Sequence, residues 1–297
     1  SEERSFTIQG GIRLWSETFG SPGSPTVLLV MGAMSQGILW FDRFCHALAG
    51  HGYRVVRYDH RDTGDSSLIN FTAQPYNLRD MAADALSLLE ALGSGEAHIV
   101  GMSMGGYIGQ LLALDQPDRI RSLTLMATSA DPGACLAAVN AGGPWPLDFA
   151  SAASLFDFGR SFQSGLPWSP ELLLGGLAPH WRLLLGPAAP FDASLWLSLQ
   201  DATMRRMRNG LSPFNHAAAV AATPQWAGRL AEIGCPTLVI HGGEDRYVPL
   251  AHGRDLATRI PGARLHIIEP MGHLFAPEWS EEMAGLIAAH LRSAGPA

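Results

Sequence analysis

Ala97-His98-Ile99-Val100-Gly101-Met102-Ser103-Met104-Gly105-Gly106 is the stretch from which the rest of this chain is read. Four residues of strand character run into Gly-Met-Ser-Met-Gly, and an apolar helical pattern follows from Tyr107 to Leu114. Strand, tight turn and helix in that order form the setting of a nucleophile elbow, which presents a serine at the tip of a sharp turn. The turn predicts a strained backbone at Ser103, so the residues two positions away on each side must be small. Gly101 and Gly105 meet that need, because a side chain there would collide with the turn. A bare G-x-S-x-G arises by chance in many chains, and the flanking strand and helix are what make this one informative.

Working outward, strand and helix signals alternate at short spacing. Phe6–Ile8 and Ile12–Phe19 predict an opening hairpin about Gly10-Gly11. Thr26–Met31 is a continuous apolar run, as expected for a strand covered on both faces. Phe41–Leu48 reads as a helix, Tyr53–Tyr58 as a strand, Leu78–Leu92 as a long amphipathic helix and Ser122–Thr128 as a strand. The rhythm returns with strand Cys235–His241, helix Leu250–Ile260, strand Arg264–Ile268 and a closing helix Glu281–Arg292. Such alternation implies an α/β fold with a mostly parallel sheet covered by helices on both faces.

Between about 130 and 225 the rhythm breaks. Gly142-Gly143-Pro144, Pro146, Pro167, Pro170, Gly175-Gly176, Pro179, Pro187, Pro190 and Pro213 punctuate short apolar stretches that hold Trp145, Trp168, Trp181 and Trp196. We expect a helical cap inserted into a core made of 1–129 and 226–297, with aromatic residues either walling a pocket or fastening cap to core.

Composition narrows the function. The chain has 297 residues, 47% hydrophobic and 16% charged, with a net charge of −7. That charge speaks against nucleic acid or an anionic membrane as a partner. The cluster Arg205, Arg206, Arg208 is short and is expected to be a solvated helix face. Cys45, Cys135 and Cys235 are widely spaced, with no C-x-x-C, so reduced thiols in a cytoplasmic protein are the expectation. Ser1–Arg4 lacks an apolar leader core, and no apolar run is long enough to span a bilayer.

A serine hydroxyl at neutral pH needs a base, and a histidine base needs a carboxylate to fix its tautomer. In parallel sheets such groups sit on loops beyond the carboxyl ends of strands. Of eleven histidines, His273 fits best, in Glu269-Pro-Met-Gly-His-Leu-Phe275 between the last strand and the last helix, with Gly272 expected to let the loop turn. His241 ends a strand and is read as structural, and His60 sits in a turn of its own. His98 opens the elbow strand, His180 and His216 fall in the cap, and the others lie in or beside helices and strands. Gly242–Pro249 supplies Asp245 and Glu244, of which Asp245 is favoured by the Asp-x-x-Val-Pro turn. Two amides should stabilise an oxyanion: Met104, at a helix start, and Ala33, after the buried first parallel strand. The acidic loop Arg57–Ser66 could hold a metal, although Asp and Gly at these spacings more often make self-bonded turns. No dinucleotide fingerprint follows a first strand, and the serine machinery implies no metal and no cofactor.

With Met31-Gly-Ala33, Asp59–Ser66, Gly101–Gly105, Gly243-Glu-Asp245 and Gly272-His273 in place, the chain resembles the α/β-hydrolase family. Leu28–Gly32, Val56–Gly64, Ala82–Asp84 and His98–Gly105 make it similar to the aclacinomycin methylesterase group of polyketide-tailoring hydrolases. The resemblance implies Ser103, Asp245 and His273 as triad and Ala33 with Met104 as oxyanion hole. Met31-Gly32 replaces the His-Gly that often opens the family's oxyanion loop, which removes a familiar anchor. The expected activity is serine carboxylesterase, on a small to medium acyl ester or a polyketide methyl ester. Carbon–carbon bond hydrolases and cofactor-free perhydrolases or peroxidases share the triad, and a ligand receptor on the same fold is the alternative outside enzymes.

Overall fold

The computed structural model describes residues 1–133 and 180–295; the breakers and tryptophans expected between 134 and 179, and Cys135, lie outside the described residues. Eight strands form one sheet: β1 (Glu2–Thr7), β2 (Arg13–Phe19), β3 (Thr26–Val30), β4 (Arg54–Tyr58), β5 (Ala97–Met102), β6 (Ile120–Met126), β7 (Thr237–Gly242) and β8 (Arg264–Ile268). Their order is β1-β2-β4-β3-β5-β6-β7-β8. β2 pairs antiparallel with β1 and with β4, and every later pairing is parallel. Among the described residues, the helices with both ends defined and eight or more residues are α1 (Asp42–Gly50), α2 (Leu78–Ala91), α3 (Met104–Asp115), α4 (Ala193–Arg206), α5 (Asn215–Ala222), α6 (Leu250–Arg259) and α7 (Ser280–Ser293).

Period-two alternation along the strands builds two cores. Leu28, Val30, Val56, Ile99 and Leu123 face one layer, where α2, α3 and α6 pack. Val27, Leu29, Val55, Val100 and Met126 face the other, against α1 and α7. α3 is buried from Met104 to Leu114, so it carries apolar or small residues on every side. α2 is amphipathic and starts at a capping box formed by Asn77 and Asp80.

Two boundaries depart from the sequence reading. The opening strand begins at Glu2 because its polar residues pair in register with β2, an edge partnership that hydrophobicity does not reveal. The strand expected over Ser122–Thr128 runs from Ile120 to Met126, because Ala127 adopts φ 47° and turns the chain out of the sheet.

The described part of the region between β6 and β7 docks on the loops that follow β3 and β4. The arginine cluster there is not a uniformly solvated face. Arg205 pairs with Asp201 in solvent. Arg206 turns inward, 2.5 Å from the buried Asp59 carboxylate and 3.0 Å from Asp65, with its guanidinium 3.9 Å over the Trp15 ring. A buried carboxylate needs a counter-charge, and Arg206 supplies it. Trp196 is buried between Trp181, Phe191 and Phe41, fastening this region to the core.

Candidate active site

Ser103 sits where β5 gives way to α3, with φ 53° and ψ −118°, a conformation that non-glycine residues rarely adopt. Its amide donates to Met126 O at 2.9 Å, and Thr128 Oγ1 donates to its carbonyl at 2.9 Å, so the neighbouring strand fixes the turn. The small residues are required by close approach. A Cβ on Gly101 would strike the Gly105 carbonyl, and one on Gly105 would strike the Val30 carbonyl. A Cβ on Gly32 would lie 3.3 Å from Ser103 Cβ, so the loop after β3 passes directly beside the serine.

His273 and Asp245 meet as expected. His273 Nδ1 donates to Asp245 Oδ2 at 2.9 Å, and the Asp245 carboxylate is buried. Its other oxygen accepts from the Tyr247 and Val248 amides at 2.8 and 2.9 Å, which orients it. Glu244 is exposed and is not brought to His273 by any hydrogen bond. His241 is structural, donating from Nε2 to Val248 O at 2.7 Å. The reason for Gly272 differs from the expected sharp turn: a Cβ there would strike the Leu184 carbonyl. Its amide donates to Leu185 O at 2.7 Å, and Leu274 N donates to Leu184 O at 2.9 Å. The segment 184–185 thus braces the loop that carries His273.

Ser103, His273 and Ala33 line one cavity of about 330 Å³. Met104 lies beneath, buried at the first position of α3, where amides have no intrahelical acceptor. In the rest of the described wall, half of the residues are Met, Leu, Trp or Phe, and no Asp, Glu, Lys or Arg is among the described lining residues. Its polar groups include His180 and Tyr247, linked by a contact of 3.2 Å from the Tyr247 hydroxyl to His180 Nδ1. The Tyr247 ring also lies 5.2 Å from that of His273. Burial pushes His180 down to about 4, so its imidazole is neutral at neutral pH. Neither His180 nor Tyr247 was assigned to the site from sequence; Tyr247 lies inside the Asp-x-x-Val-Pro turn, which was its one signal.

The acidic loop is spent on structure. Asp59 accepts from the Gly37 and Asp65 amides at 2.7 and 2.9 Å, besides Arg206. Asp62 accepts from Ile69 N, Tyr76 Oη and Asn215 Nδ2. Only the bonds from the Asp65 and Ile69 amides close turns within the loop, as the spacing suggests. Gly37, Tyr76, Arg206 and Asn215 reach these carboxylates from elsewhere in the chain.

The chain matches the α/β-hydrolase fold family over residues 25–278 and belongs to it. It is 37% identical to the rhodomycin D methylesterase DauP of Streptomyces sp. (strain C5), over 95% of this chain and 96% of that protein. This bears out the resemblance to methylesterases of the aclacinomycin type. It is also 29% identical to a 2-hydroxy-6-oxononadienedioate/2-hydroxy-6-oxononatrienedioate hydrolase of Burkholderia vietnamiensis, over 91% of this chain and 88% of that one. Among solved structures, a hydrolase from Pseudomonas aeruginosa PA01 is similar, with a TM-score of 0.71, 28% identity and coverage of 97% and 98%.

Proposed function

We propose that the chain is a serine carboxylesterase acting on an uncharged ester, and that residues 130–225 act as its cap. The observation that carries this reading is the buried Asp245–His273 pair opening onto the cavity that the strained Ser103 also lines. With Nδ1–H held by Asp245, the His273 Nε2 is bare and can take the Ser103 proton as Oγ attacks the ester carbonyl. The oxyanion is stabilised by the amides of Ala33 and Met104. His273 then hands the proton to the departing alcohol, leaving an acyl group on Ser103. Water, deprotonated by the same imidazole, releases the acid.

The apolar, uncharged wall supports a neutral substrate, and the similarity to a methylesterase supports a polyketide methyl ester within that class. A carbon–carbon hydrolase of a dicarboxylate shares the triad but would need cations near the ligand. The described wall has none, and the sequence from 134 to 179 holds a single basic residue, Arg160. The test is p-nitrophenol release from acetate, butyrate, octanoate and decanoate esters, with Ser103→Ala beside the wild type. Activity confined to the wild type is the expected result; none above the variant on any ester would remove the simple esterase reading.

A further inference from the structure

The loop 31–35 passes beside Ser103, yet Met31, which opens it, brings no polar side chain to hold it, and Met34 within it adopts φ 62°. A positive φ at a non-glycine residue persists only where surrounding contacts over-determine it. Two buried histidines supply those contacts. His60 donates from Nε2 to Met31 O at 2.9 Å. His216, from α5 between β6 and β7, lies 3.0 Å from the Met34 amide through Nδ1 and 2.8 Å from Arg61 O through Nε2. The two rings meet edge to face at 5.7 Å.

The partners fix the tautomer of His216. The Met34 amide can only donate, so Nδ1 is bare, and the Arg61 carbonyl can only accept, so Nε2 carries the proton. A second proton would destroy the bond to Met34. Burial opposes that second proton in both rings and holds His60 down at about 3.

We infer that His216 and His60 are positioning residues that clamp the loop at Met34 and Met31, so that the intervening Ala33 amide is held in place beside Ser103. The inference rests on the esterase reading, in which that amide is an oxyanion donor. His216 therefore acts on the transition state through the backbone, without touching substrate, and it does so from the cap side of the chain. A misplaced oxyanion donor weakens the transition state more than the bound ester, so the effect falls on kcat.

The geometry sets up a crossover. The Asn amide occupies the place of a histidine Nδ1, and the Gln amide the place of Nε2. At 216 the loop is held through Nδ1; at 60 it is held through Nε2. His216→Gln should therefore lower kcat for p-nitrophenyl butyrate by roughly 10–100-fold with KM little changed, and His216→Asn should restore most of it. At 60 the order reverses: His60→Asn should lose kcat and His60→Gln retain most of it. Hydrogen–deuterium exchange of the peptide spanning 31–36 should quicken in the two damaging variants only. Equal losses for Asn and Gln at each position, or wild-type kcat and exchange in His216→Gln, would overturn the clamp. A wild type that turns over no ester would overturn the esterase reading instead, while the exchange pattern would still read the clamp.

Discussion

His273 donates through Nδ1 to a carboxylate oxygen of Asp245 at 2.9 Å, while two backbone amides hold the other oxygen of that carboxylate. Asp245 thus has a fixed orientation and one free task, which is to select the His273 tautomer. Asp245→Asn should leave the loop folded but present the wrong tautomer, lowering kcat by about 10⁴-fold. Glu244→Gln should change kcat by no more than about twofold, since nothing ties it to His273. Steady-state kinetics on p-nitrophenyl butyrate compare the two, and a larger loss at Glu244 would reassign the acid.

The elbow is held together by the absence of atoms. Gly101→Ala places a methyl against the Gly105 carbonyl, where backbone and not a flexible side chain must give way. We expect a loss of stability of roughly 1–3 kcal/mol, read from urea unfolding midpoints. An unchanged midpoint would mean that the turn relaxes at no cost.

Much of this was legible before the structure. The strand, turn and helix around Ser103, and the loops carrying Asp245 and His273, follow from apolar runs and glycines. Gly105 and Gly272, however, are required by the distant Val30 and Leu184 carbonyls and not by the turns themselves. The chain's own chemistry could not reveal which long-range partners fill the gaps. Arg206 reads as surface because nothing local shows that the buried Asp59 needs it. His216 reads as an ordinary cap residue because its partners, Met34 and Arg61, lie more than one hundred and fifty residues away. Pairings of that kind depend on topology, and periodicity carries no record of them.

Arg206→Met tests the fastening of α4. It strands the Asp59 carboxylate in a buried setting, and a loss of about 3–5 kcal/mol is expected. Adding Asp59→Asn should recover part of that loss, a coupling that a double-mutant cycle measures. Strict additivity of the two changes would contradict the pairing.

Stability should fall in mild acid. Burial holds His60 at about 3 and His98 at about 4, against an ordinary value of 6.5. Between those limits the unfolded chain binds protons that the folded chain refuses. Each such histidine therefore costs about 1.4 kcal/mol of stability per pH unit as the pH is lowered from 6.5 towards 4, and nothing changes on its account above 6.5. Urea midpoints measured across that range should slope downward towards acid; a flat profile would mean that these rings protonate freely in the folded protein.

The uncharged wall should select against anions. A free carboxylate brought into the cavity finds no cation among the described lining residues and loses its hydration. The p-nitrophenyl ester of succinate should show kcat/KM lower than that of butyrate by roughly 100-fold, a penalty of about 2.7 kcal/mol. Equal values would require a cation from outside the described wall.

The most direct measurement of the central claim is to quench the enzyme with acid during turnover of p-nitrophenyl butyrate and map the product by peptide mass. The account predicts a butyryl group on the peptide containing Ser103, absent when Ser103→Ala is treated in the same way. Turnover retained by Ser103→Ala, with no acyl group on that peptide in the wild type, would contradict it.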